Sequence, residues 1–168
     1  MERKSCCLAG YCKNYSSLHE LKLKVIDKFA ELVLKGYSVF YILDYGVFDK
    51  ACMLALDKIK KTNNIKIVRV LVSNVIWPEY TQTGKLIDEY YCPNSYYVSY
   101  CSERTYYRNM WVLNNSDVIL CYFDDFSNGY FDLIMTARDE HKPIIYLNWL
   151  HKYFWYVKIF AEVDYENF

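Results

Sequence analysis

Two residue types that interrupt regular structure are scarce in this chain of 168 residues, which has 3 prolines and 5 glycines. Disordered segments and flexible linkers are rich in these residues, so the composition predicts one folded domain over residues 1–168. The chain also lacks an excess of charge, because 20 lysines and arginines balance 20 aspartates and glutamates. A neutral protein has no overall field to attract an anionic polymer or surface. We therefore expect no nucleic-acid partner and no membrane partner.

Long apolar runs and paired cysteine motifs are missing as well. No segment approaches the roughly 18 consecutive apolar residues that span a membrane. The apolar stretch after residues 1–4 is too short for a signal peptide. The 7 cysteines include no Cys-x-x-Cys pair, the spacing typical of zinc sites. An odd number of cysteines without a signal peptide indicates reduced thiols, so we expect a cytoplasmic protein. We also predict that the protein uses neither a metal nor a cofactor.

What the chain does contain is an alternation of short apolar segments with amphipathic ones. Apolar residues at intervals of three and four after Leu18 predict a helix that ends at Gly36. Further helices are predicted over 47–61, 105–114 and 130–140, and a short one over 84–91. Predicted strands cover residues 5–9, 37–43, 65–72, 118–123 and 143–147. This alternation predicts an α/β protein, a three-layer Rossmann-like fold with a mainly parallel sheet of five or more strands.

Glycines and polar residues follow several of the predicted strands. In a parallel sheet these loops leave the same edge, where ligands of open α/β proteins bind. A glycine there lets backbone N–H groups approach a phosphate, although any tight turn between a strand and a helix also uses glycine. Tyrosine rings in the same loops could stack on a base. The sequence predicts that one ligand site is lined by Gly10, Tyr11, Tyr45, Gly46, Asp124 and Gly129.

Charged residues near these loops add candidates for ligand contacts. Asp49, one turn into the second helix, could accept a hydrogen bond from a ribose hydroxyl or could simply face solvent. Arg104 and Arg108 could reach a phosphate or could form surface ion pairs. Asp124 could bind a divalent metal together with Asp44 and Asp125, but acidic loop residues are usually solvated turn formers, and no metal site is predicted.

One block of motifs resembles a known family. It has Arg-Asn at 108–109, Ser-Asp at 116–117 before an apolar strand, a helix with Ala137, and Lys-Pro-Ile at 142–144. These residues resemble the second half of the SLOG superfamily, more narrowly its YpsA-like branch. In the first half, Gly10-Tyr11 and Gly46-Val47 stand where that branch has glycine turns. The resemblance implies a Rossmann-like pocket for a nucleotide or nucleotide-derived ligand, in members that mostly bind or sense.

The sequence departs from that pattern at two places. Leu43 replaces the first glycine of the G-x-x-G-V turn, and Tyr11-Cys12 replaces a polar-basic pair. Both changes leave fewer backbone donors and less positive charge for a phosphate. A degenerate pocket in a partner-binding protein is therefore the alternative.

The same block also resembles nucleoside deoxyribosyltransferases and lysine-decarboxylase-like phosphoribohydrolases. Those enzymes carry a glycine–threonine turn followed by a glutamate, and Tyr130 and Leu133 stand at the threonine and glutamate positions. Asp132 is one residue away, which on a helix turns it by about 100°. An apolar side chain can neither attack a sugar nor stabilise its cation, so the sequence favours a binding domain over an N-glycoside-cleaving or transferring enzyme.

The aromatic C-terminal segment, residues 149–168, is too apolar for a free tail in water. Its rings are spaced too closely to be covered by one face of a helix. We expect part of this segment to form a homodimer contact, the alternative being that it completes the core of a monomer.

Overall fold

The computed structural model describes residues 3–13, 18–43, 46–73, 86–93, 101–124 and 130–148. Within them the elements are, in chain order, β1 (Lys4–Tyr11), α1 (Leu18–Leu34), β2 (Tyr37–Ile42), α2 (Val47–Lys60), β3 (Lys66–Val70), β4 (Glu89–Tyr91), α3 (Cys101–Asn114), β5 (Val118–Phe123), α4 (Tyr130–Asp139) and β6 (Ile144–Tyr146). The strands form one sheet in the order β4-β3-β2-β1-β5-β6, and every pairing is parallel. The predicted α/β class with a parallel sheet is confirmed.

The centre of the sheet is formed by β1 and β5. Successive side chains of β1 point to opposite faces and are buried on both, with Cys6 and Leu8 on one side and Cys7 and Ala9 on the other. The predicted strand 118–123 is confirmed as an interior strand, since β5 pairs with β1 and with β6. A strand that is covered on both faces has a continuous run of apolar residues. For this reason β1 and β5 could both be predicted from the sequence.

Helices cover both faces of the sheet. Helices α1 and α2 pack on the face that carries Cys6 and Leu8, and α3 and α4 pack on the face that carries Cys7 and Ala9. The buried stripe of α1 is the predicted one, Leu21, Val25, Phe29 and Leu32. Gly36 has a positive φ of 89°, so the predicted glycine stop of this helix is also confirmed.

One predicted element is wrong. The sequence predicts a short helix over 84–91, but Glu89–Tyr91 is a strand that pairs with β3 at the edge of the sheet. Its aromatic residues suit a sheet better than a helix, and Asp88 fixes the start of the pairing. The Asp88 carboxylate accepts hydrogen bonds from the Ile67 N–H at 2.8 Å and the Lys60 ammonium at 2.6 Å. Other boundaries shift by a few residues, the largest shift being α3, which begins at Cys101.

A side-chain clasp joins β1 to β5 at the amino-terminal edge of the sheet. The Asp117 carboxylate accepts a hydrogen bond from the Ser5 N–H at 2.6 Å, and the Ser5 hydroxyl lies 2.9 Å from the same oxygen. The neighbouring Ser116 hydroxyl donates to the Val112 carbonyl at 2.6 Å. The Ser-Asp motif therefore has a structural role, at the edge opposite the predicted ligand site.

Two general properties follow from the described residues. None of their helices combines the length and apolar character needed to cross a membrane. Six cysteines are free thiols, and all of these except Cys92 are buried.

Candidate functional site

The strand order reverses at β1, which places a crevice between the carboxyl ends of β1 and β5. From β1 the chain adds β2 and β3 on one side, whereas β5 and β6 lie on the other. At the end of this pair Gly10 lies opposite Tyr122, and Tyr11 opposite Phe123. Ligands of open α/β sheets bind at such a reversal point.

Several of the predicted residues come together at this edge. Gly10 and Tyr11 end β1, Gly46 precedes α2, and Asp124 follows β5. Asp124 joins the first and last of these loops, because its N–H donates to the Tyr11 carbonyl at 3.1 Å and its carboxylate accepts from the Lys13 N–H at 3.0 Å. The predicted contacts Tyr45 and Gly129 lie outside the described residues, as do Asp44 and Asp125.

The space beside Gly10 is occupied by the protein itself. A Cβ added to Gly10 would lie 2.5 Å from the Phe48 ring and 2.7 Å from the Tyr122 carbonyl oxygen. Phe48 belongs to the first turn of α2, is fully buried and stacks in parallel on Tyr122 with 6.2 Å between ring centroids. Gly10 is therefore a glycine because α2 approaches β1 closely at this point.

Tyr122 is fixed by both ends of its side chain. Its ring contacts Phe48, and its hydroxyl donates to the Asp124 carboxylate. Burial raises the pKa of the Tyr122 phenol, and the hydrogen bond to Asp124 raises it further. The phenol stays neutral over the physiological pH range and acts as a donor.

Gly46 and Asp49 form the N-terminus of α2. Asp49 is 2% exposed, so the alternative that it faces solvent is wrong. Its carboxylate accepts a hydrogen bond from the Gly46 N–H at 3.2 Å, an arrangement that stabilises a helix N-terminus. Gly46 has φ −67° and ψ 178°, values open to any residue. The Gly46 N–H is therefore already used in a hydrogen bond within the helix N-terminus.

Arg108 is a buried cation at the same edge. It is 3% exposed, and its guanidinium lies 3.5 Å from the Leu43 carbonyl at the end of β2. It also donates to the Asn109 side-chain oxygen, at 3.1 Å from Nε and 3.0 Å from Nη2. The Tyr130 ring lies 6.0 Å from the guanidinium carbon, within the range of a cation–π contact. The alternative of a surface ion pair is wrong for Arg108.

The thiols near the site are not activated. Burial raises the pKa of Cys7 well above its ordinary value, and the positive charge of Arg108 offsets this only in part. Burial likewise raises the pKa of Cys52, where the Asp49 carboxylate adds to the effect. A buried, protonated thiol is neither a nucleophile nor a metal ligand.

Leu133, which the resemblance to glycoside-cleaving and transferring enzymes aligns with their glutamate, is part of the core. Leu133 is 2% exposed and packs with Ala9, Cys121 and other residues between α4 and the sheet. Asp132 is exposed, and its carbonyl accepts a hydrogen bond from the Thr136 hydroxyl at 2.9 Å. The core position therefore carries no carboxylate.

A small polar pocket lies beside the crevice on the α1 side. It is lined by Glu20, Leu21, Lys24 and Tyr122 and has a volume of about 30 Å³. That volume holds a water molecule or two, not a nucleotide. In the described ranges no group of three or more His, Cys, Asp or Glu side chains could hold a metal ion.

Two residues near the site, Phe48 and Tyr130, are not evident as site residues in the sequence. The sequence does not reveal the role of Phe48, because that role depends on how closely α2 packs against β1. In the sequence Tyr130 is notable only because it stands at the threonine position of the enzymes that this block resembles. Its contact with Arg108 could not be predicted, because it joins two different helices.

Comparison with protein-family models gave no matching family, and comparison with curated proteins gave no matching relative. The function of this chain is therefore inferred from the geometry of the crevice and from its sequence motifs.

Proposed function

We propose that this chain is a non-catalytic binding or sensing domain for a nucleotide or nucleotide-derived ligand, bound at the carboxyl ends of β1 and β5. The observation that carries this proposal is Arg108, a buried guanidinium at the crevice with the Tyr130 ring beside it. A cation next to an aromatic ring suits a ligand that combines an anionic group with a planar base. The resemblance of residues 108–147 to the SLOG superfamily supports the same proposal.

The residues proposed to contact the ligand follow from their place at this edge. Tyr11 offers a half-buried ring, and Arg108 a charge. Gly10, Gly46, Asp49 and Asp124 shape the loops through their contacts with Phe48 and with neighbouring backbone groups, and Tyr45 and Gly129 stay predicted contacts.

A thermal-shift screen against nucleosides, nucleotides, cyclic nucleotides and ADP-ribose tests the proposal. A ligand at a hundredfold excess over its Kd stabilises the folded state by about 2.7 kcal/mol, which for a domain of this size raises the melting temperature by roughly 5 to 10 °C. The shift should be lost in Arg108→Gln, measured against that variant's own unliganded melting temperature. It should persist in Lys61→Gln, which removes an exposed positive charge at the other end of α2. A screen with no shift would contradict the proposal.

The filled space beside Gly10 favours a second candidate, a partner-binding protein whose ligand pocket has degenerated. Such a protein would give no shift with any nucleotide.

We also propose a homodimer that uses part of residues 149–168. Light scattering on the intact protein and on a Trp155→Ala, Phe160→Ala variant tests this. A monomeric mass for the intact chain at micromolar concentration would contradict it.

A further inference from the structure

Two carboxylates at the crevice differ in whether a ligand can reach them. Asp49, which the sequence suggests as a contact for a ribose hydroxyl, is 2% exposed and accepts a hydrogen bond from the Gly46 N–H. Asp124, directly after β5, is exposed at the same edge of the sheet. A donor group on a ligand can therefore reach the carboxylate of Asp124 but not that of Asp49.

The Asp124 carboxylate is held in place by two donors of its own chain. The Lys13 N–H donates to it at 3.0 Å, and the Tyr122 hydroxyl donates to it as well. A carboxylate has about four acceptor positions. Within the described residues these two hydrogen bonds use two of them, so about two positions remain for a ligand. A carboxylate that is already oriented also loses little conformational freedom when a ligand binds.

An aromatic ring lies at the neighbouring strand end. Tyr122 packs with the core on the α1/α2 side of the sheet, so its hydrogen bond places the Asp124 carboxylate on that side. Tyr11 packs with the core on the α3/α4 side, and its ring is half-buried. The Asp124 N–H donates to the Tyr11 carbonyl at 3.1 Å, which joins the two residues. A ligand at this edge therefore meets a carboxylate on one side and a ring on the other.

The acceptor positions of Asp124 determine which part of a nucleotide can face it. A phosphate is repelled by the carboxylate, whereas a hydroxyl group donates to it. The 2′- and 3′-hydroxyls of a ribose are two adjacent donors, which matches the two remaining acceptor positions, and a 2′-deoxyribose has only one of them. The planar base can stack on the ring of Tyr11.

We infer that the ligand is a ribonucleotide whose ribose hydroxyls donate to Asp124 and whose base stacks on Tyr11. The inference rests on the proposed function and names the sugar that the same site accepts. It gives Asp124 a role in ligand recognition, in addition to the contacts by which it joins the loops after β1 and β5.

Calorimetric titration of the intact wild-type protein with AMP, GMP, CMP and UMP tests the inference, each compared with its 2′-deoxy and 2′,3′-dideoxy analogues. In the series that binds, both analogues should bind at least about fivefold more weakly than the ribonucleotide, because each lacks a hydrogen bond to a charged acceptor. An analogue that binds as tightly as the ribonucleotide would overturn the inference while leaving the proposed function intact. No binding in any series would overturn both.

Asp124→Asn separates ligand recognition from loop structure. The asparagine side-chain oxygen can still accept from the Lys13 N–H, but the charge is lost. The ribonucleotide should bind at least about fivefold more weakly to this variant, with little change for the dideoxy analogue. An equal loss for both nucleotides would mean that Asp124 acts only through the loops and would overturn the inference.

Two further variants complete the comparison. Tyr11→Leu removes the ring and keeps the carboxylate, so it should weaken the ribonucleotide and the dideoxy analogue alike. Asp57→Asn is the matched control, because it removes an exposed carboxylate near the far end of α2 and should change neither affinity. The wild-type titrations decide the inference even if Asp124→Asn does not fold.

Discussion

The ring of Phe48 occupies the place where Gly10 would carry a Cβ. The hypothetical Cβ would lie 2.5 Å from Phe48 Cδ1, closer than non-bonded carbon atoms approach in proteins. The glycine at the end of β1 thus has a packing reason that involves no ligand. The Phe48 ring also fills the space beside Gly10 on the side of the sheet that α1 and α2 cover.

This relationship predicts different outcomes at two glycines. Gly10→Ala should lower the free energy of unfolding by roughly 1 to 3 kcal/mol, because the added methyl group overpacks the contact between α2 and β1. Gly46→Ala should change it by less than about 1 kcal/mol, since the backbone there is ordinary and the loss of a favourable capping residue opposes the gain in chain stiffness. Urea unfolding of both variants makes the comparison.

The clash with Phe48 is tested by a double-mutant cycle. In a Phe48→Leu background the cost of Gly10→Ala should shrink, although it should not vanish, because the Tyr122 carbonyl lies 2.7 Å from the added atom. Equal costs in the two backgrounds would mean that Phe48 is not the obstacle.

The clasp at the opposite edge gives a second prediction. Asp117→Ala leaves the Ser5 N–H without its carboxylate and should destabilise the fold by about 1 to 3 kcal/mol. Asp57→Ala is the control, because Asp57 forms an exposed ion pair with Lys61 and should cost less than about 1 kcal/mol. If the two variants unfold at the same urea concentration, the clasp contributes nothing.

The sheet could be predicted from the sequence because its central strands are buried on both faces. A short, continuous apolar run such as Val118–Phe123 indicates a buried strand when amphipathic helices precede and follow it along the chain. The strand Glu89–Tyr91 could not be predicted, since three residues show no periodicity and the pairing depends on Asp88 and Lys60.

The candidate site was predicted less well than the fold. Strand ends in a parallel sheet meet at one edge, so the positions of Gly10, Gly46 and Asp124 could be placed together from the sequence. The contacts of each residue could not be predicted from the sequence. An acidic residue in the first turn of a helix, for example, is expected to face solvent. Asp49 is instead buried, and its carboxylate turns back to the Gly46 N–H.

A third prediction concerns the buried thiols. Cys6, Cys7, Cys52 and Cys121 have pKa values raised mainly by burial, so at pH 8 they are protonated as well as inaccessible. Under native conditions they should react with a maleimide at least about a hundredfold more slowly than the half-buried Cys92, because labelling requires unfolding. Mass spectrometry of labelled peptides measures this. Labelling of Cys52 as fast as Cys92 would contradict the packing of α2.

The fourth prediction concerns catalysis. The pure protein should release no free base from nucleosides or nucleotides, because Leu133 is in the core at the position where the enzymes that the sequence resembles have a glutamate. Leu133→Glu should not create activity and should destabilise the fold by several kcal/mol, since it buries a carboxylate. Base release that is abolished by Asp132→Ala would instead establish an enzyme.

The central claim is that a ligand binds at the carboxyl ends of β1 and β5. Amide chemical shifts recorded by NMR during titration with the nucleotide that gives the largest thermal shift test it most directly. The largest changes should fall on Tyr11, Lys13, Gly46 and Asp124, while Ser5, Asp117 and Lys142 at the opposite edge stay nearly unchanged. Changes concentrated at the amino-terminal edge, or changes absent at saturating nucleotide, would contradict the claim.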